Sequence, residues 1–188
     1  MNLHRLVREG TGPTLILLHG LGANEEDLFD LGHLAPEDWR IVSLRGPTRY
    51  GSGFAWFGIE WTETGLNIDL EGAKRAAELV IQEAAAYDFP IVMGFSQGAM
   101  LVWLALTMDA PWRAGAMFSG ASLVDGPAPE AVYTLVVHGR NDPVIPIEFG
   151  RELSRLQGHM SDYLETDDAH GIGLQAQKYF QKWLQGVP

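Results

Sequence analysis

The most constraining feature of the sequence is a series of short, almost uninterrupted runs of aliphatic residues. These runs read TLILLHG, RIVSL, PIVMGFS, GAMFSG, YTLVVHG and DYLET, and several end in glycine or a small polar residue. Strands that are covered on both faces lack the alternation of apolar and polar residues that a half-exposed strand shows. The runs therefore predict the buried strands of a parallel sheet.

Helical patterns separate these runs. In the clearest, apolar residues recur at steps of three and four with charges opposite, at Leu70, Ala73, Ala77, Val80, Ile81 and Ala84. Three further helical segments each follow a strand, namely QGAMLVWLALTMDA, PIEFGRELSRLQ and GLQAQKYFQKWLQ. The alternation predicts a parallel α/β sheet with right-handed crossovers. Ligands bind such a sheet at the carboxyl ends of its strands.

Length, net charge and composition limit the classes of protein to which the sequence can belong. A length of 188 residues suits one domain, 1–188, and a net charge of −11 argues against nucleic acids and anionic membranes as partners. The absence of cysteine excludes disulfides, thiolate metal ligands and a cysteine nucleophile. The longest apolar run, 99–108, is about half the length that a bilayer requires. The N-terminal residues lack the apolar stretch of a signal peptide, so we expect a cytoplasmic protein without a membrane anchor.

Residues 45–67 interrupt the alternation with a long, glycine-rich and unusually aromatic segment, which is typical of a functional loop. Its aromatic residues either cap the core or line the mouth of a pocket, and the pattern leaves both open. They are Tyr50, Phe54, Trp56, Phe57 and Trp61. Exposed aromatic residues here could equally meet a second subunit, so a homodimer is one expected assembly.

The pentapeptide Gly94-Phe95-Ser96-Gln97-Gly98 fits the pattern G-x-S-x-G, in which the serine occupies a sharp turn between a strand and a helix. The residues two before and two after the serine approach each other in that turn, so side chains there would collide. A buried strand precedes Ser96 and a buried helix follows it, as the turn requires. The context predicts that Ser96 is a nucleophile; the alternative is an ordinary turn serine between two glycines.

A nucleophilic serine needs a base, for which histidine is best suited near neutral pH, and a carboxylate to orient that base. In proteins with this motif the chain order is serine, acid, histidine, so of the six histidines only His138, His159 and His170 qualify. His138 lies in or at the end of a strand, and His159 precedes the strand DYLET, at the wrong end of the sheet. His170 follows the last strand and is the predicted base; the alternative is a surface-loop histidine.

Asp142 is the predicted acid. It follows His138 by four residues in the turn GRNDP, just past the carboxyl end of a strand, and Pro143 helps to fix the turn. The alternative is an aspartate that holds its own turn or caps the next helix.

An oxyanion hole is expected from two backbone N–H groups, one after the nucleophile and one after an early strand. Gln97 supplies the first. Leu21, in LLHGLGAN, supplies the second, because the neighbouring glycines let the backbone approach a substrate closely.

No cofactor is expected. The segment GIGLQA at 171–176 matches a dinucleotide fingerprint, but too few residues follow it for the next strand and for the acid about 20 residues on. The sequence also lacks a P-loop, an H-E-x-x-H motif and clustered metal ligands, so no metal site is predicted.

Taken together, the motifs LLHGLGAN, AWF, GFSQGA, HGRNDPVIP and AHGI resemble, in order, the carboxylesterase, lysophospholipase and acyl-protein thioesterase family. The resemblance spans nearly the whole chain. It implies the α/β-hydrolase fold, with a mostly parallel central sheet, helices on both faces and no large cap domain. It also implies the catalytic and oxyanion roles given above, and it places Trp56 and Phe57 near the site as substrate-binding residues.

The chain departs from the family in having Gly58 after WF, where many members have an acidic residue, and in being shorter than most. Trimmed loops leave little material for a lid or a long acyl tunnel. We therefore expect a serine carboxylesterase that hydrolyses small to medium acyl esters. A thioesterase or lysophospholipase with the same triad is the alternative, and a non-catalytic binding protein of the same fold is a more distant one.

Overall fold

The computed structural model describes residues 3–62, 65–124, 126, 132–157 and 160–187, with the backbone alone at 61, 62, 65 and 66. The strands are β1 (Arg5–Arg8), β2 (Thr14–Leu18), β3 (Arg40–Leu44), β4 (Thr48–Tyr50), β5 (Gly53–Ala55), β6 (Ile59–Thr62), β7 (Gly65–Ile68), β8 (Ile91–Phe95), β9 (Ala114–Phe118), β10 (Tyr133–Gly139) and β11 (Ser161–Thr166). The helices are α1 (Leu70–Ala84), α2 (Gln97–Thr107), α3 (Ile147–Leu156) and α4 (Leu174–Gly186), with a 3₁₀ helix at Phe29–Leu34.

Seven strands form the central sheet in the order β1-β3-β2-β8-β9-β10-β11. All neighbouring pairs are parallel except β1 with β3, so the predicted mostly parallel sheet is confirmed. Each predicted strand is present. The edge strand β1 was not predicted, because its sequence RLVR has arginines at both ends and only two apolar residues between them.

Two apolar cores cover the faces of the sheet. Helices α1, α2 and α3 pack on one face, and α4 and the 3₁₀ helix pack on the other. The fully buried rings of Trp103 and Phe180 lie in these two cores. The four predicted helices are all present.

The connections differ in two places from a strict alternation of strand and helix. Only the 3₁₀ helix lies between β2 and β3, and the hairpins β4–β5 and β6–β7 precede α1 after β3. These hairpins lie within the aromatic segment, where glycines at 51, 53 and 58 divide it into short extended pieces.

Within the described residues, no helix is both long enough and apolar enough to cross a bilayer. Helix α2, which contains the longest apolar run, is instead buried between the sheet and α1.

Candidate active site

Ser96 occupies the sharp turn between β8 and α2. Its backbone has φ 53° and ψ −114°, a conformation that non-glycine residues rarely adopt. The Ser96 N–H donates to the carbonyl oxygen of Phe118 on the neighbouring strand at 2.8 Å, which fixes the turn to the sheet. The serine hydroxyl is thereby held at the carboxyl end of the strand, where the sequence placed it.

The glycines on either side of Ser96 are required by close backbone contacts. A Cβ atom on Gly94 would lie 2.3 Å from the carbonyl carbon and oxygen of Gly98, and one on Gly98 would lie 2.1 Å from the carbonyl oxygen of Leu18. Both distances are much shorter than a van der Waals contact, and the atoms involved belong to the backbone, which cannot move aside. The expected crowding of the turn is therefore confirmed.

The imidazole of His170 connects Ser96 with Asp142. The Ser96 Oγ lies 3.0 Å from His170 Nε2, and His170 Nδ1 donates to Asp142 Oδ2 at 2.8 Å. Since an ionised carboxylate only accepts hydrogen bonds, Nδ1 carries the proton and Nε2 presents a lone pair to the serine hydroxyl. In this arrangement the histidine can accept the serine proton.

The Asp142 carboxylate is fully buried, with 0% side-chain exposure, and it is satisfied on both oxygens. Its Oδ1 accepts from the N–H groups of Val144 and Ile145, each at 2.9 Å. Burial alone would raise the pKa of Asp142, but the hydrogen bonds from His170, Ile145 and Val144 outweigh it and hold the pKa below its usual value. Asp142 thus holds its own turn through Oδ1 and contacts His170 through Oδ2. The predicted contact with the base and the alternative role in the turn are both present.

His138 forms no hydrogen bond with Ser96, whose hydroxyl contacts His170 instead. Its ring is fully buried, Nε2 donates to the carbonyl oxygen of Ile145 at 2.8 Å, and the same nitrogen lies 3.5 Å from Asp142 Oδ2. Gly150 of α3 leaves room for the ring, because a Cβ there would come within 2.5 Å of His138 Nδ1. His138 therefore stabilises the turn that carries Asp142. His159, the remaining candidate, lies outside the described residues.

Hydrogen bonds fasten the turn that carries Asp142 to the loop that carries His170. The Arg140 guanidinium binds both Glu165, at 3.1 Å, and Asp167, at 2.8 Å. Asn141 donates through its side chain to the carbonyl oxygen of Asp167 and through its N–H to that of Asp168. The acid and the base, 28 residues apart in sequence, are therefore held by one network at the ends of β10 and β11.

The peptide between Gly20 and Leu21 is held by His19. The Gly46 N–H donates to His19 Nε2 at 2.9 Å, so Nε2 is unprotonated and Nδ1 donates to the Gly20 carbonyl oxygen at 2.7 Å. Burial is the main cause that lowers the pKa of His19, a shift that favours the neutral imidazole. Because a trans peptide is planar, fixing the Gly20 carbonyl turns the Leu21 N–H in the opposite direction.

Gln97 contributes to the site through both its backbone and its side chain. Its N–H lies at the N-terminus of α2, and within the described residues neither it nor the Leu21 N–H donates to a protein acceptor. The buried Gln97 amide accepts from the Trp56 N–H at 2.8 Å and donates to the Phe57 carbonyl oxygen at 2.9 Å. Both N–H groups are therefore free to bind a ligand, and the Gln97 side chain connects the aromatic segment to α2.

Trp56 and Phe57 lie next to the site but not on its surface. Each is only 2% exposed, and the indole Nε1–H of Trp56 donates to the His19 carbonyl oxygen at 2.9 Å. Neither ring lines the cavity at Ser96. Their placement differs from the substrate contact implied by the resemblance: they belong to the core and hold the backbone around His19 and Gln97.

Other parts of the aromatic segment are placed differently. Tyr50 is exposed, and the ring of Phe54 lies under the guanidinium groups of Arg45 and Arg49, at 4.5 and 5.0 Å. The Trp61 side chain lies outside what the structure describes.

A cavity of about 240 Å³ opens at the serine hydroxyl. It is bordered by Ser96, His170 and the two residues with free N–H groups, and the other described residues that line it have aliphatic or thioether side chains. These walls are Ile59, Met100, Val144 and Ile145. These four were not predicted as pocket residues, because an apolar residue suits a buried core and a cavity wall equally well. No three His, Asp or Glu side chains of the described residues are grouped to hold a metal ion.

The mostly parallel sheet, the helices on both faces and the serine in the turn before α2 define the α/β-hydrolase fold; no large cap covers the described residues. The phospholipase/carboxylesterase family profile matches residues 8–176, and the chain belongs to that family.

The chain is also similar to individual proteins of known sequence or structure. Acyl-protein thioesterase 1 of Kluyveromyces lactis is 30% identical over an alignment of 130 residues, and the alignment covers 58% of this chain and 57% of that protein. The solved Bacillus cereus carboxylesterase superimposes with a TM-score of 0.84 at 19% identity, over 99% of this chain and 95% of the other. The Zea mays acyl-protein thioesterase 2 gives 0.82 at 19% identity, over 98% of each chain. At these identities the two solved structures establish the fold.

Replacing Gly98 with alanine tests the crowding of the turn. The added methyl group would press on the Leu18 carbonyl, so we expect the free energy of unfolding to fall by about 2 kcal/mol or more in urea titrations. Gly186→Ala is the matched control, since nothing lies within 4 Å of a Cβ there. Equal stabilities for the two variants would contradict the steric account.

Proposed function

We propose that the protein is a serine hydrolase that cleaves carboxylic esters of small to medium acyl groups through an acyl-enzyme on Ser96. The observation that carries the proposal is the continuous chain from Asp142 through His170 to Ser96, with contacts of 2.8 and 3.0 Å, beside two free backbone N–H groups. Family membership supports the same class of reaction.

In the first half of the reaction, the ester carbonyl lies over Ser96 with its oxygen toward the N–H groups of Leu21 and Gln97. His170 Nε2 takes the hydroxyl proton while Oγ bonds to the carbonyl carbon, and the carbonyl electron pair moves onto the oxygen. The N–H groups stabilise that charge. Asp142 stabilises the imidazolium and does not accept the proton.

The tetrahedral intermediate then collapses. His170 Nε2–H donates its proton to the leaving oxygen, the bond between carbon and that oxygen breaks, and the alcohol departs. In the second half, His170 removes a proton from water, the resulting oxygen attacks the acyl carbon, and the proton passes to Ser96 Oγ as the acid leaves. His170 thus carries out every proton transfer of the cycle.

The cavity at Ser96 supports the choice of acyl group. Its volume of about 240 Å³ is smaller than the roughly 300 Å³ at which drug-sized ligand pockets begin. Among the described residues that line it, only His170 has an ionisable side chain, so these walls suit an uncharged hydrocarbon chain. A short to medium acyl chain would fill the cavity, and a long one would extend into solvent.

A thioesterase is the second candidate. The Kluyveromyces lactis relative is an acyl-protein thioesterase, and the same triad would release a thiol in place of an alcohol. The leaving group is distinguished by pocket shape and not by the triad, so a comparison of rates separates the two activities.

A rate panel tests the proposal. We expect kcat/KM for p-nitrophenyl esters to rise about fourfold per methylene, the gain from burying one CH2, until the cavity is full, and then to fall. Thioesters of the same acids are measured alongside, and Ser96→Ala provides the background. Hydrolysis no faster than this background for every substrate would refute the proposal, and a maximum at long-chain thioesters would favour the thioesterase.

Asp142→Asn tests the role of the acid. The asparagine oxygen can still accept from Val144 and Ile145, but its NH2 would face His170 Nδ1 and favour the wrong tautomer. We expect the fold to persist and kcat to fall by about 10⁴-fold, as in other triads.

Asp30→Asn is the matched control for Asp142→Asn, because it removes one exposed carboxylate that borders neither the cavity at Ser96 nor the network between the two loops. Its turnover should stay close to that of the unchanged protein. Unchanged turnover in Asp142→Asn would assign the acid role elsewhere, to Asp167 or Asp168.

A further inference from the structure

A second cavity, of about 280 Å³, lies against the ring of His170. Its walls are Leu28, Leu31, Phe95 and Ile172, and the exposed side chain of Asp27 also borders it. Ser96 borders the first cavity and not this one, whereas His170 borders both. The imidazole therefore borders two spaces, and Ser96 borders the first of them.

The reaction of the triad suggests that the acyl part of an ester lies in the first cavity and the alcohol part in the second. The carbonyl oxygen must reach the N–H groups of Leu21 and Gln97, which border the first cavity. The leaving atom must lie within reach of His170 Nε2, which protonates it. An alcohol that continues past His170 enters the second cavity.

Asp27 gives the second cavity an electrostatic preference. Its carboxylate forms no ion pair with a described residue, and the described residues that line the cavity include no Lys or Arg. The apolar walls favour burial of hydrocarbon, and the unpaired carboxylate favours a cation at the outer end. The net charge of −11 adds to this preference over longer distances.

We propose that the second cavity is the leaving-group subsite and that Asp27 makes it selective for alcohols that carry an ammonium group on a short apolar stem. The proposal rests on the proposed esterase function and specifies the substrate at that same site. Asp27 acts as a specificity residue and takes no part in proton transfer.

Three butanoate esters with one acyl group test the proposal: butanoylcholine, its uncharged isostere 3,3-dimethylbutyl butanoate, and methyl butanoate. The measured quantity is kcat/KM, since it covers the steps up to release of the alcohol, whereas hydrolysis of the shared acyl-enzyme can limit kcat. We expect the choline ester to exceed its isostere by roughly fivefold at low salt, the effect of one charge about 4 Å from a cation in water.

Asp27→Asn should bring the ratio of choline ester to isostere close to one and leave methyl butanoate unchanged, because a methyl group does not reach the carboxylate. Asp30→Asn is the matched control: it removes the same charge from an exposed residue of the 3₁₀ helix that borders neither cavity. It should keep the ratio. Raising the salt concentration to about 0.5 M should reduce the ratio in the unchanged protein.

Three results would overturn the proposal. A ratio near one in the unchanged protein means that the subsite has no charge preference. An equal loss in Asp27→Asn and Asp30→Asn assigns the preference to the overall negative field. A ratio that Asp27→Asn does not lower removes this carboxylate from recognition. If none of the three esters is hydrolysed, the esterase function itself fails, which is a distinct outcome.

Discussion

The backbone contact between the two glycines flanking Ser96 is the constraint on which the site depends. Gly94 and Gly98 meet without side chains, so the chain can reverse from β8 into α2 and hold Ser96 in its strained conformation. Gly98 also lies against the Leu18 carbonyl at the end of β2. The contact between Gly98 and Leu18 brings the loop with Leu21 beside the N-terminus of α2. The two glycine contacts together therefore place the Ser96 hydroxyl near the free N–H groups of Leu21 and Gln97.

The other half of the site depends on two loops whose distance is set by the sheet. Because β10 and β11 are parallel neighbours, their carboxyl ends present Asp142 and His170 side by side. The network through Arg140 and Asn141 then fixes the loops to each other. His19 and His138 have supporting positions: each is buried and binds a backbone carbonyl, His19 in the loop of Leu21 and His138 in the turn of Asp142.

The sequence predicts the fold well where burial dictates residue type. Strands covered on both faces require continuous aliphatic runs, and the order of the motifs is sufficient to choose Ser96, Asp142 and His170, which the structure brings together. Positions that depend on three-dimensional neighbours were not predicted: the polar edge strand β1, the hairpins before α1, and Ile59 as a cavity wall. Trp56 and Phe57 show the same limit, because an aromatic residue in a glycine-rich loop suits a core and a pocket equally. A single domain, a cytoplasmic location and a homodimer stay predictions from the sequence.

Labelling with a fluorophosphonate tests most directly whether Ser96 is a nucleophile that His170 activates. Intact-mass measurement should find a single phosphonyl adduct, which peptide mapping assigns to Ser96, and the adduct should be absent in Ser96→Ala and form much more slowly in His170→Ala. A folded protein that gains no adduct, or that labels equally well without Ser96, would contradict the account.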